Sequence, residues 1–191
     1  MGPDSGEAVQ QGITLRETAT IAPIIIDGYN VIGIFHKDME RARNGLIELL
    51  LEYRLKSSHD ITVVFDGHKT GGAAENVSVR GGVKIIYSKL GERADDVIKR
   101  IISAHRKEWI VVTSDRDIAN HAWQINSIPI ASDVFYEKVS GTVKKGLPDR
   151  STEDAAPYFK DEDEEYIPTR KGSPYQLSKK EKLVKKALAK L

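Results

Sequence analysis

The chain has no cysteine at all. That excludes disulfides, thiolate metal sites and cysteine nucleophiles, and it suits a reducing compartment such as the cytoplasm. It also has no long apolar run: the longest are strand-sized, far short of the roughly 20 residues that span a bilayer. Residues 1–20 lack a basic stretch followed by an apolar one, so no secretory leader is read there. Nor is there an excess of one charge, since 29 Lys and Arg face 28 Asp and Glu for a net charge of +1. That balance alone argues neither for nor against a polyanionic partner.

Charge is instead distributed in blocks. Up to Ser140 there are 17 Lys/Arg against 19 Asp/Glu, and from Gly141 onward 12 against 9. The second part holds an acidic block, Asp161 to Glu165, and a basic segment from Lys179 to Lys190. The expected organisation is a flexible segment over 1–21, a folded domain over 22–140 and a polar tail over 141–191. That tail closes with a basic amphipathic helix, because Ser178 and Glu181 form a capping-box pattern ahead of Leu183, Val184, Ala187, Leu188 and Leu191.

Within 22–140, Ile24-Ile25-Ile26, Ile61 to Phe65 and Trp109 to Val112 are short continuous apolar runs, the pattern of strands covered on both faces. Val83 to Tyr87 and Ile128 to Ile130 are weaker and belong nearer the edges, Pro129 being unable to donate to a central ladder. Helical spacing fills the intervals, in the stretches Glu40 to Lys56, Ala94 to His105, Ile118 to Trp123 and Asp133 to Val139. Alternating strands and helices predict a Rossmann-like α/β three-layer sandwich around a mostly parallel sheet of about five strands. Gly67 to Gly82 reads as a mobile loop.

In open α/β sheets ligands bind outside the carboxyl ends of the strands. Here the three best strands all run into aspartate: Asp27, Asp66 and Asp115, with Asp117 two residues on. Aspartate after a strand is also an ordinary turn former and helix cap. Several gathered together are harder to explain that way, since two carboxylates at 4 Å repel by roughly 4 kcal/mol at an effective dielectric near 20. An oxygen-only ligand set calls for Mg²⁺ or Mn²⁺, and such ions suit phosphodiester hydrolysis. Near residue 95, the 100° step of a helix places Asp95 beside the apolar stripe and turns Asp96 away from it. Asp95 is the better ligand candidate.

The same residues carry a family resemblance. Ile24 to Gly33, with Asp27-Gly28-Tyr29-Asn30 at its centre, resembles the opening strand and loop of YacP-like NYN-domain nucleases, relatives of PIN domains. Val63 to Gly67 resembles their second strand, and Val111 to Asp115 their fourth. Glu92-Arg93-Ala94-Asp95 resembles their Glu-Thr-Ala-Asp element, with arginine in place of threonine. The resemblance implies a PIN-like fold and a Mg²⁺- or Mn²⁺-dependent endoribonuclease, with Asp27, Asp95 and Asp115 as metal-binding acids. It makes Asn30 the residue that holds the first loop or a phosphate, and Asp66 and Asp117 auxiliary acids, Asp117 also a candidate metal ligand. It permits single-stranded RNA and a ribosome as partners.

Arg93, Lys69 and Arg80, with Arg41 and Arg43, are candidates for phosphate contacts. Tyr29 is a candidate for base stacking, while His36, His59 and His121 show no metal spacing. A second reading is a non-catalytic RNA- or ribosome-binding module, supported by the basic tail helix and by Arg93 beside the acids. A Rossmann-like phosphatase is disfavoured, because Asp27-Gly28-Tyr29 lacks an acid two positions on.

Overall fold

The structure, a computed structural model, describes residues 21–33, 38–67, 72–104, 107–144 and 177–191. Twelve elements follow in order: β1 (Ile24–Asp27), α1 (Gly28–Ile32), α2 (Met39–Lys56), β2 (Ile61–Phe65), β3 (Asn76–Arg80), β4 (Val83–Tyr87), α3 (Ala94–Ala104), β5 (Ile110–Val112), α4 (Arg116–Gln124), β6 (Ile128–Ile130), α5 (Ser132–Lys144) and α6 (Lys179–Leu188). The strands form one sheet in the order β3-β4-β2-β1-β5-β6. All neighbours are parallel except the β3–β4 pair.

Every residue of β1, β2 and β5 is buried, as their unbroken apolar runs require. Alternation along β1 sends Ile24 and Ile26 into one core with α2 and α5, and Ile25 into a second core with α3 and α4. Because Ile25 and Asp27 share a parity, Asp27 faces the α3–α4 side. β6 forms one edge of the sheet, where Pro129 forfeits no central hydrogen bond.

Two expectations are corrected. The stretch from Gly67 to Gly82 is not simply a loop, because Asn76 to Arg80 pairs antiparallel with Val83 to Tyr87 as a sixth strand. Gly81 and Gly82, at φ +53° and +81°, make the tight hairpin connection that only glycine adopts readily at both positions. All five residues of β3 are exposed, so no buried face announces the strand, and residues 68–71 lie outside the described set. Second, α5 runs on to Lys144, past both Val139 and the expected boundary at 140, with Val143 still buried. The basic amphipathic helix α6 packs onto its own domain: Ala187 is buried, and Leu183, Val184, Leu188 and Leu191 pack against the α2–α5 core. The capping box of Ser178 and Glu181 is formed.

Candidate active site

The chain runs from β1 outward to β2 and β4, then returns across the sheet to β5 and β6 on the other side of β1. The strand order therefore reverses between β1 and β5, the place where an open α/β sheet leaves a crevice at its carboxyl edge. Asp27 ends β1 at that crevice, and Asp115 follows β5 on its other side. α3, which bears Asp95 in its first turn, lies in the crossover between β4 and β5.

Asp27 is only 6% exposed. Its Oδ1 caps α1 by accepting the Asn30 N–H at 3.2 Å. Burial pushes its carboxyl up from 3.8 to about 6, against the Asn30 hydrogen bonds that lower it, and the charges of Asp95 and Asp115 push it further up. The three acids singled out from the sequence thus share one electrostatic neighbourhood. Asp115 is the N-cap of α4, its Oδ1 accepting from Asp117 N–H at 2.7 Å and Ile118 N–H at 3.2 Å. The Asp95 side chain is 18% exposed and is paired with Arg93, whose Nη2 lies 3.0 Å from Oδ2. Asp96 is exposed, as the helical step requires.

Asn30 holds the crevice together. Its Oδ1 accepts the Ser114 N–H at 3.0 Å, from the loop after β5, and the Ser132 hydroxyl at 3.4 Å, from the start of α5. With its own N–H on Asp27, one side chain and its backbone brace three carboxyl-end loops. Sequence reasoning missed Ser114 and Ser132, whose partners are remote in the chain. It also missed Gly28, whose lack of a side chain lets the Phe65 ring pack directly against α1. An Asp-Gly at a strand end was the available signal.

Other candidates separate. Asp117 is exposed and reaches Asp115 through its backbone, while Asp66 is half-buried just past β2. Arg80 does not belong to the crevice. It pairs with Val83 at the amino end of β4 and forms an ion pair with Glu48 at 2.9 Å, at the opposite edge of the sheet. Lys69 and His36 lie outside the described residues. Among the described residues no three His, Cys, Asp or Glu side chains are gathered closely enough to hold a metal ion. Asp115 spends an oxygen on its helix, and Arg93 occupies Asp95.

A mostly parallel α/β sheet with Asp27 and Asp115 at its point of strand reversal is the frame that the comparisons place in a PIN-like, RNA-related nuclease family. The model of the YacP-like NYN domain matches residues 24–174, and the chain belongs to that family. It is 34% identical over 88 residues to the uncharacterized protein YacP of Bacillus subtilis (strain 168), a match covering 42% of this chain and 51% of that one. The chain thus spans about half the length of the curated relative it matches. The crystal structure of Rae1 (YacP) from Bacillus subtilis superposes with a TM-score of 0.53 at 26% identity, over 64% of this chain and 75% of that one. A tryptophan-to-leucine mutant of Rae1 gives the same TM-score of 0.53 at 24% identity, over 65% and 77%, and supports the fold alone.

Proposed function

We propose that this chain is a metal-dependent endoribonuclease that cuts single-stranded RNA, with Asp27, Asp95 and Asp115 binding Mg²⁺ or Mn²⁺. One observation carries the reading: a carboxylate buried at the point of strand reversal, held up near pKa 6 with two further acids in its field. Such a group ionises at neutral pH only at a cost that a cation would remove. The donor set is all oxygen, which fits a hard ion. When bound, such an ion supplies an activated water and neutralises charge on the scissile phosphate.

The chain's own residues do the positioning. Asn30 fixes the loop of Asp27 against the loops that carry Ser114 and Ser132. Asp115 is held on α4 through Oδ1, which leaves Oδ2 for the crevice. Asp117, exposed beside it, and half-buried Asp66 are auxiliary acids in this reading. The setting we propose is the cytoplasm, with ribosome-associated messenger RNA as the first substrate to test.

Purified protein should cut single-stranded RNA with Mg²⁺ or Mn²⁺, and lose this with chelator and in Asp27→Asn or Asp115→Asn. No cutting with either metal, in a sample that still binds RNA, sinks the enzyme reading. One observation favours the alternative, a non-catalytic RNA- or ribosome-binding module: the Arg93 guanidinium already sits on Asp95 at 3.0 Å. A crystal soaked in Mn²⁺ separates the two, by anomalous signal at Asp27, Asp95 and Asp115 or by an undisturbed Arg93–Asp95 pair.

A further inference from the structure

The carboxyl edge carries a second constellation. Tyr29 and Phe65 meet edge-to-face with centroids 5.4 Å apart, and Phe65 stacks on Tyr87 at 5.5 Å. At the end of this row the Arg43 guanidinium lies over the Tyr87 ring, 5.5 Å from its centroid. Phe65 and Tyr87 are the last residues of β2 and β4 and are paired in register. Tyr29 lies two residues past Asp27, and Arg43 lies near the N-terminus of α2, which starts from the same edge. Phe65 belongs to the α2–α5 core, whereas Asp27 faces α3 and α4. The rings and the acids therefore flank the crest of the sheet from opposite sides.

Arg43 is half-buried, and its Nε is out of contact with solvent and has no hydrogen-bond partner. Arg80, Arg93 and Arg100 each pair with a carboxylate, whereas among the described residues Arg43 has no ion pair. A guanidinium held over an aromatic face, with its Nε buried, has already lost part of the freedom that binding would otherwise remove. Its planar fork matches a phosphate. Tyr29 is half-buried, packed against the α2–α5 core and Phe65, and its remaining exposed part is aromatic surface of the kind an unstacked base stacks on.

We propose that Arg43, oriented by Tyr87, binds a backbone phosphate of single-stranded RNA, and that Tyr29 stacks the neighbouring base. This rests on the RNA reading above and adds to it a substrate-seating surface across the crest from the acids. The strand would then cross the sheet edge from the rings to the acids, which fixes where a bond is presented.

The test is binding of a short fluorescent 2′-O-methyl oligoribonucleotide, which resists cleavage, measured by anisotropy in chelator. Arg43→Ala should weaken binding about tenfold and lower the salt-dependence slope by roughly 0.7, one phosphate contact on a single strand. Tyr29→Leu should weaken it about fivefold or more with the slope unchanged. Lys107→Ala removes the same charge from an exposed position before β5, at the amino edge, and should have little effect. Should Arg43→Ala melt early, Arg43→Gln keeps much of the stem's packing and must show the same loss. Affinity in Arg43→Gln equal to that of Lys107→Ala overturns the proposal. Because the probe is uncut, a wild type that cleaves no RNA sinks only the nuclease reading. A wild type that cleaves RNA, with Arg43→Gln binding normally, sinks only this one.

Discussion

The two edges of the sheet each bury an ionisable side chain and treat it in opposite ways. At the amino edge, His59 is 3% exposed, and its ring nitrogens meet Ala22 O at 2.7 Å and Lys190 O at 3.1 Å. Beside it the Tyr53 hydroxyl donates to Leu191 O at 3.0 Å, fastening the end of α6 to α2. At the carboxyl edge, Asp27 is nearly as buried but receives one backbone N–H, from Asn30 at 3.2 Å, and faces two acids. One edge spends its buried polar groups on cohesion. The other keeps a buried carboxyl in the field of two like charges, offset by Asn30 alone, a sign of selection for something other than stability.

The comparison can be broken first through activity. Asp27→Asn and Asp115→Asn should each lower the RNA cleavage rate about a thousandfold or more, whereas Asp96→Asn, on the solvent side of α3, should leave it unchanged. Equal loss in Asp96→Asn would dissolve the distinction between the acids.

Stability should move in opposite directions at the two edges. The folded pKa of Asp27, about 6, lies above its ordinary 3.8, so the native state retains a proton that the unfolded chain releases. Native stability therefore falls as pH rises from about 4 to about 6 and stays lowered above that. Asp27→Asn keeps the cap on Asn30 and should gain about 2 kcal/mol at pH 8 and little at pH 4. His59→Leu leaves at least one buried carbonyl without its donor and should lose about 1–3 kcal/mol. Urea unfolding of both variants at the two pH values checks the signs, and a destabilised Asp27→Asn at pH 8 would contradict the account.

Smaller effects sharpen it. A methyl on Gly28 would collide with the Phe65 ring, so Gly28→Ala should cost about 2 kcal/mol in thermal unfolding and disturb the crest. Arg93 is 66% exposed, so removing its ion pair should change stability by less than about 1 kcal/mol. Arg93→Thr should nonetheless enlarge the rise in melting temperature that Mn²⁺ produces, because Asp95 is released. An unchanged Mn²⁺ response in calorimetry would show that Arg93 does not compete.

What could be read from the sequence follows a physical line. β1, β2 and β5 were legible because each is buried on both faces and written as an unbroken apolar run. Asp95 and Asp96 were separable because a helix turns 100° per residue, and their burial follows that step. β3 was not, since it buries nothing and is held by ladder hydrogen bonds; Gly81-Gly82 between two β-branched runs was the clue. Gly141 read as a stop, yet buried Val143 carries α5 on through it. Arg80's pairing with Glu48 and Asn30's bonds to Ser114 and Ser132 depend on which loops the fold brings together, which no local pattern encodes.

The position of β1 has a consequence for how the molecule comes into being. It is the first strand among the described residues, yet Ile24 lies between Ile61 and Ile110. During synthesis its slot is incomplete until Val112 has emerged, whereas the β3–β4 hairpin closes from neighbouring residues. Ile24-Ile25-Ile26 must wait as an exposed apolar segment, the part of the nascent chain most prone to wrong association. The acid that ends that strand is enclosed only when the two halves of the sheet close over it, so a truncated chain assembles no crevice.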